Sequence, residues 1–198
     1  MIVWFYGLMR FILKVLLLAG WRFRSFGSEH VPLDGPVIVA ANHVSYFDPV
    51  VLGCGMRRPL TYLAKKELFD IPILGRTIRW LGAYPTDRRA GGVAAVRAAI
   101  RVLRDGRCVG IFPEGTRNLT GDAAQKGGAA LLASLTGAAV VPAAIVGTRD
   151  AKRFHPIRVA YGEPFHVPAR DRKAESDDME KWTAEIMRQI RLLEESIR

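Results

Sequence analysis

Short runs of apolar residues recur along the chain, and they lack the polar–apolar alternation of a strand that has one face in water. Such runs are typical of strands buried on both faces of a sheet. The pattern predicts strands at residues 37–41, 60–64, 108–112, 138–146 and 157–160. The first of these follows a segment rich in Pro, Asp and Gly at residues 32–36, which favours a turn just before the strand.

Helices are predicted between these strands. The clearest pattern covers residues 92–104, where an apolar stripe lies opposite three arginines and Gly106 provides a stop. Further helices are predicted at residues 124–135 and 174–197. Alternating strands and helices of this length predict one α/β domain, a layered fold with a mainly buried sheet flanked by helices.

The first 21 residues are apolar apart from two charged side chains, Arg10 and Lys14. One helix of this length would be roughly 31 Å long, enough to cross the hydrocarbon core of a bilayer. A crossing helix would place Arg10 near mid-bilayer at a cost of ~2.5–3.5 kcal/mol, whereas a helix lying in the interface avoids this cost. A third interpretation is a helix packed on the soluble domain, because buried helices can be equally apolar.

Aromatic and basic residues near both ends of this segment favour the interfacial helix. They are Trp4, Trp21, Arg22 and Arg24. No cleavage site of small residues follows, so a signal peptide is not expected. We predict a membrane-anchoring segment at residues 1–24 and one domain at residues 25–198. The two cysteines exclude a disulfide scaffold and fit a reducing compartment. Together with the interfacial helix, this leads us to expect a monotopic protein on the cytoplasmic face of a membrane.

Composition and charge narrow the classes of function. Apolar residues make up 49% and charged residues 24% of the 198 residues, which excludes disordered and coiled-coil proteins. The formal net charge is +10; 16 basic and 7 acidic residues precede Gly110, whereas 13 and 12 follow it. Such an excess of basic residues is typical of proteins that bind nucleic acid, an anionic membrane or a phosphorylated ligand. The neighbouring apolar segment favours the last two, and the sequence carries no nucleic-acid recognition motif.

A candidate acid–base pair follows the first predicted strand, in the run Asn-His-Val-Ser-Tyr-Phe-Asp-Pro at residues 42–49. Histidine is a common general base because imidazole exchanges protons near neutral pH, and a carboxylate can hold its other ring nitrogen. Five residues of continuous helix would separate the His43 and Asp48 side chains by roughly 140°. Their contact therefore needs a turn between them. The spacing alone leaves open whether Asp48 instead caps a helix that begins at Pro49.

A second candidate segment is Phe-Pro-Glu-Gly-Thr-Arg at residues 112–117. Gly115 permits close approach of the backbone to a ligand, and Arg117 offers a planar fork for phosphate or carboxylate. Glu114 could bind a ligand hydroxyl or hold Arg117. Alternatively, the segment is an ordinary turn with a surface pair between these two side chains. Further cations at segment ends are each more typical of a solvated surface; they are Lys65, Lys66, Arg88, Arg89 and Lys126.

Together the two segments closely resemble the glycerolipid acyltransferase family, whose best-known members are the 1-acylglycerol-3-phosphate acyltransferases. The specific matches are His-x4-Asp at residues 43–48 and the run at residues 112–117. Two weaker motifs occur in the family's order, one from residues 64–69 through Pro72 and Gly75 to Arg88, the other at residues 140–145. The resemblance covers about residues 30–165 and implies that residues 25–198 form an acyltransferase domain.

The resemblance implies transfer of an acyl group from acyl-CoA or acyl carrier protein to the free hydroxyl of 1-acylglycerol-3-phosphate, giving phosphatidic acid. His43 would deprotonate that hydroxyl, and Asp48 would orient His43. Arg117 and Arg88 would bind the acceptor phosphate. Two further groups are implied: Glu114 with Gly115 would shape the phosphate pocket, and Lys65 would contact a phosphate or the oxyanion.

The resemblance implies no metal and no cofactor beyond the thioester co-substrate, and the membrane surface as a partner. Asn118 stands where members of the family commonly carry Ser, and we expect no loss of chemistry from it. Two alternatives remain open: another lysolipid or a polyol as acceptor, and a non-catalytic module that binds anionic lipid.

Overall fold

The computed structural model describes residues 2–86, 92–115, 117–118, 126–169 and 176–198. Its helices are α1 (Val3–Trp21), α2 (Asp48–Gly55), α3 (Pro72–Trp80), α4 (Gly92–Arg104), α5 (Gly128–Thr136) and α6 (Ser176–Ser196). Its strands are β1 (Arg24–Phe26), β2 (Val37–Ala41), β3 (Leu60–Lys65), β4 (Tyr84–Thr86), β5 (Cys108–Ile111), β6 (Ala139–Val146), β7 (Arg158–Tyr161) and β8 (Phe165–His166). Short 3₁₀ helices cover Ser28–His30, Lys66–Phe69 and Thr148–Arg153.

The described strands form one mixed sheet in the order β1-β7-β6-β2-β5-β3-β4, with β8 paired to β6. At its centre, β2 runs parallel to both β5 and β6, with Val39 opposite Gly110 and Val141. The pairs β6–β7 and β6–β8 are antiparallel. The prediction of a layered α/β domain is therefore confirmed, with a sheet that mixes both strand directions.

Both faces of the sheet are covered, which explains the uninterrupted apolar runs. Alternate residues of β2 enter two separate cores: Val39 packs with α1 and α2, whereas Ile38 packs with α4, α5 and α6. Successive side chains of a strand point to opposite faces, so a strand between two cores must be apolar at every position. All five residues of β2 are buried.

The parallel strands place their carboxyl ends at one edge of the sheet. There β2 leads into the loop of His43, β5 leads into the segment that begins at Phe112, and β3 ends at Lys65. Residues that are far apart in the chain thereby meet at this edge.

Helix α1 packs on the domain from its beginning to its end. Ile2 N–H donates to the Trp80 carbonyl at 3.1 Å, and the Trp21 indole donates to the Ala151 carbonyl at 2.6 Å. Near the middle, the Arg10 guanidinium donates to the Met56 carbonyl at 2.8 Å. Met56 is the C-cap residue of α2. The opposite face of α1 exposes large apolar side chains; they are Trp4, Leu8, Phe11, Ile12, Val15, Leu16 and Leu18. By length and composition, Trp4–Trp21 could cross a membrane.

The five predicted strands are confirmed, and each begins and ends within one residue of its predicted bounds. The helix at residues 92–104 is confirmed as α4. The helix predicted from residue 124 is described from Gly128, and the last one as Ser176–Ser196; the predicted residues 124–125 and 174–175 lie outside the described residues. Strands β1, β4 and β8 were not predicted, because two or three residues are too few to show a pattern.

Candidate active site

The turn between β2 and α2 brings the His43 ring and the Asp48 carboxylate together. Nδ1 of His43 lies 2.8 Å from Oδ2 of Asp48. The chain reverses just before the helix, where Asp48 N–H donates to the Ser45 carbonyl at 3.2 Å. Helix α2 starts at Asp48, with Pro49 in its first turn. The turn that the five-residue spacing required is therefore present.

The Asp48 carboxylate is completely buried, and it accepts hydrogen bonds from the loop before α2 rather than from the helix. Its Oδ2 accepts the backbone N–H groups of Val44 and Ser45, each at 2.7 Å, besides the His43 ring nitrogen. The alternative in which Asp48 is the cap of α2 is wrong, because Phe47 holds the cap position and the carboxylate bonds to amides that precede the helix. Within the described residues its Oδ1 has no hydrogen-bond partner. One oxygen therefore receives three donors.

Aromatic rings support the imidazole from the sheet side. The His43 ring stacks on Phe112 with centroids 4.2 Å apart, and the Tyr62 ring is nearly parallel to Phe112 at 6.2 Å. The Tyr62 hydroxyl donates to the Pro49 carbonyl at 2.9 Å, which ties β3 to the start of α2. Burial raises the pKa of Tyr62 well above its ordinary value, so this hydroxyl stays protonated and keeps donating. The His43 ring is thus held on one face while 16% of the side chain remains exposed.

Glu114 is buried and holds the His43 loop to the segment after β5. Its Oε2 accepts the His43 backbone N–H at 2.8 Å, and its Oε1 accepts the Asn118 amide at 3.2 Å. Asn118 also donates its backbone N–H to the His43 carbonyl at 2.7 Å. The sequence suggested a pair between Glu114 and Arg117. The structure shows other contacts: Glu114 bonds to the His43 loop, and Arg117 bonds to Tyr46.

A cavity of about 1240 Å³ opens beside the His43 ring. Lys65, Arg117 and Lys126 line it together with His43. Gly115 lies beneath the Lys126 side chain, and an added Cβ would lie 2.8 Å from Lys126 Nζ; its φ of +69° is a left-handed conformation that favours glycine. The rest of the lining is mostly apolar and includes residues of helices α1 to α5 and of strands β3 and β5. Arg88, the remaining predicted binding residue, lies outside the described residues.

Comparison with known proteins identifies the family. Residues 22–146, more than half of the chain, match the family model described as Acyltransferase. The chain belongs to this acyltransferase family. A 1-acyl-sn-glycerol-3-phosphate acyltransferase of Bacillus subtilis is 33% identical over 172 residues, which cover 82% of this chain and 86% of the relative. A protein of the same name from Borreliella burgdorferi is 36% identical over 147 residues, 72% of this chain and 59% of that relative.

A solved structure agrees with the fold of this acyltransferase. The crystal structure of the 1-acyl-sn-glycerophosphate acyltransferase PlsC from Thermotoga maritima matches with a TM-score of 0.67 and 30% sequence identity. The match covers 92% of this chain and 79% of that one. The similarity therefore extends well beyond the two motifs that the sequence singled out.

Some side chains that shape the site of this acyltransferase were not singled out from the sequence. The Asn42 side chain is buried and makes two hydrogen bonds to the backbone of Ile145, at 2.8 and 2.9 Å, which join the end of β2 to β6. Its signal in the sequence is a polar residue directly between a buried strand and His43. Asn118 was noted only as a departure from Ser, and no local pattern pointed to its bonds with His43 and Glu114.

Proposed function

We propose that this acyltransferase moves a fatty acyl group from a thioester donor to the free hydroxyl of 1-acylglycerol-3-phosphate, giving phosphatidic acid. The observation that carries the proposal is the His43 ring, bonded through Nδ1 to a buried carboxylate and lining a cavity that also holds cationic side chains. The names of the Bacillus subtilis and Borreliella burgdorferi relatives support the choice of acceptor.

His43 would act as general base. An ionised carboxylate only accepts hydrogen bonds, so Nδ1 carries the proton toward Asp48 and Nε2 is left to accept one. The O–H bond of the acceptor breaks as its proton passes to Nε2, and the acceptor oxygen bonds to the thioester carbonyl carbon. Collapse of the tetrahedral oxyanion then breaks the C–S bond, and the thiolate leaves with the proton that His43 returns. Asp48 stabilises the imidazolium between the two proton transfers.

The cationic side chains would bind the negative charges of the reaction. Arg117 offers its planar fork to the acceptor phosphate, and Arg88 stays a proposed partner in that role. Lys65, at the end of β3, is proposed to contact a phosphate or the developing oxyanion. Glu114 would act by positioning the His43 backbone, and Gly115 by leaving room for Lys126, so both shape the phosphate pocket.

The size and lining of the cavity support a lipid substrate. Its volume of about 1240 Å³ exceeds the roughly 300–1,000 Å³ of ordinary small-molecule pockets. Apolar residues such as Leu60, Leu63 and Leu74 supply the surface that an acyl chain needs. The thioester would be acyl-CoA or acyl carrier protein, and the proposed reaction needs no metal or bound cofactor.

We further propose that residues 1–24 anchor residues 25–198 to the cytoplasmic face of a membrane without crossing it. Helix α1 packs along the domain on one side and exposes apolar residues on the other, as a helix in one leaflet would. Arg10 bonds to Met56 of the domain and does not lie among the exposed apolar side chains of α1. The +9 excess before Gly110 suits an anionic leaflet, and the lipid acceptor would enter from it.

The test is acyl transfer by the purified chain in detergent, with radiolabelled donor and 1-acylglycerol-3-phosphate. Wild type should form phosphatidic acid, and His43→Ala should lower the rate by about 10²–10⁴-fold. His166→Ala, at an exposed histidine on β8, is the matched control and should retain full activity. Lack of product from wild type, or equal product from His43→Ala, would overturn the proposal.

Parallel arms of this assay separate the donors and the acceptors. Acyl-CoA and acyl carrier protein thioesters are supplied in turn, each with the same acyl chain. Other lysolipids and polyols replace 1-acylglycerol-3-phosphate as acceptor. A higher kcat/KM with one of these acceptors would reassign the substrate while leaving the His43 mechanism standing.

A further inference from the structure

Arg117 is held by an exposed aromatic ring from the loop that carries His43. Its guanidinium carbon lies 3.8 Å from the centroid of the Tyr46 ring, and its Nη2 donates to the Tyr46 hydroxyl at 3.0 Å. Tyr46 is 77% exposed, yet it keeps this position beside the cavity. The side chain therefore makes both a cation–π contact and a hydrogen bond to the same guanidinium.

The two residues stand on loops that are firmly joined. Next to Tyr46, Ser45 N–H donates to the buried Asp48 carboxylate. Next to Arg117, Asn118 donates its backbone N–H to the His43 carbonyl. The backbone beside each of the two residues is therefore hydrogen-bonded, which supports the contact between the Tyr46 ring and the guanidinium.

Fixing the guanidinium before the substrate arrives favours recognition of an anion, such as phosphate, whose two oxygens accept hydrogen bonds from the planar guanidinium. Arginine has five N–H donors, and the bond to Tyr46 uses one and leaves the remainder for a ligand. An exposed arginine without a support loses rotamer freedom when it binds, and that loss weakens binding. A stacked guanidinium has already lost this freedom.

We propose that Tyr46 is a positioning residue that fixes Arg117 for the phosphate of the acceptor and so sets the affinity for phosphate-bearing acceptors. The inference rests on the proposed function, in which Arg117 binds that phosphate. Tyr46 acts on binding of the acceptor alone, because it touches Arg117 and makes no hydrogen bond to His43 or Asp48 among the described residues. The thioester donor and the proton transfer are therefore left unchanged by it.

The experiment compares Tyr46→Leu and Tyr46→Phe with wild type in the acyl transfer assay. Tyr46→Leu removes both contacts and should raise KM for 1-acylglycerol-3-phosphate by about two- to tenfold, with kcat and the KM of the donor within about twofold of wild type. Tyr46→Phe keeps the stacking and should recover most of the loss. Phe47→Leu, at the neighbouring half-exposed aromatic, is the matched control and should leave KM unchanged.

A double-mutant cycle decides whether Arg117 mediates the effect. In an Arg117→Ala background, Tyr46→Leu should add no further increase in KM. An unchanged KM in Tyr46→Leu alone, an equal loss in the Arg117→Ala background, or a fall in kcat with KM unchanged would each overturn the inference.

Acceptor binding to His43→Ala protein, with and without Tyr46→Leu, measures the same contribution without turnover. If wild type forms no phosphatidic acid, the proposed function fails, and this binding measurement still decides the role of Tyr46. A dissociation constant that Tyr46→Leu raises two- to tenfold supports that role, and an unchanged dissociation constant overturns it.

Discussion

Replacing Asp48 by Asn should slow acyl transfer by about 10²–10³-fold while leaving the His43 ring in place. The backbone explains why the ring stays. Val44 and Ser45 both donate N–H groups to the oxygen that also meets the ring. Only an oxygen can accept them, so the Asn carbonyl must take this position and its NH₂ must take the place of Oδ1. The carbonyl then still accepts the proton on Nδ1, and Nε2 remains the base.

The magnitude follows from the charge that is lost. An imidazolium and a carboxylate about 4 Å apart attract by ~4 kcal/mol at an effective dielectric constant of 20, which corresponds to about 10³ in rate. The Asn carbonyl dipole keeps part of this attraction, hence the lower bound of about 10². In triads where the same exchange reverses the tautomer of the histidine, the loss reaches about 10⁴. The two backbone donors prevent that reversal here.

The assay is kcat at saturating donor and acceptor, together with nitrogen NMR of the His43 ring to identify the protonated nitrogen. Asp34→Asn, at an exposed aspartate before β2, is the matched control and should change neither. A loss of less than tenfold would refute the role of the charge. A loss of 10⁴-fold with the proton on Nε2 would refute the argument that Val44 and Ser45 fix the oxygen.

Three further predictions concern the core, the membrane face and the thiols. Asn42→Ala removes both bonds to the Ile145 backbone and should lower the free energy of unfolding by about 2–4 kcal/mol in urea titrations; a change under 1 kcal/mol would contradict it. Phe11→Glu on the exposed face of α1 should weaken binding to phosphatidylglycerol vesicles by about tenfold or more, whereas Leu192→Glu on α6 should not; equal effects would argue against α1 as the anchor. Burial raises the pKa of Cys54 to about 11 and that of Cys108 to about 12. Iodoacetamide at pH 8 should therefore label neither thiol in the folded chain, as read by mass spectrometry. Because these values exceed the ordinary 9, both thiols favour folding below pH 9, and this contribution should fall as the pH rises toward 11.

The central strands could be predicted because each lies between two cores. Every residue of β2 is buried, and the apolar run has the same bounds as the strand. The edge strand β1 gave no such signal: its burial alternates over three residues, and it is held by backbone pairing with β7. Local hydrophobicity reports burial, whereas the pairing of a short strand depends on the register of a distant partner.

The sequence could single out residues that the structure brings together at the candidate site, but it could not give their geometry. The residue types at His43 and Asp48 suggested a base and its support, but their contact depends on a turn that the spacing did not specify. Glu114 shows more clearly that a local sequence pattern cannot identify contacts between distant parts of the chain. Its sequence neighbour Arg117 suggested a local pair, whereas the carboxylate bonds to a backbone amide 71 residues away. Such a bond follows from the adjacency of β2 and β5 in the sheet, which no local pattern encodes.

The charges of the site are divided between the two sides of the imidazole. Two buried carboxylates, Asp48 and Glu114, contact the His43 ring nitrogen and backbone from within the protein. Arg117 and Lys126 line the cavity that the ring faces. Negative charge behind the ring stabilises the imidazolium, and positive charge in front of it stabilises a phosphate or an oxyanion. The proposed proton transfer from an acceptor hydroxyl to Nε2 would create positive charge on the ring and negative charge in the cavity, so both sets of charges would favour that step.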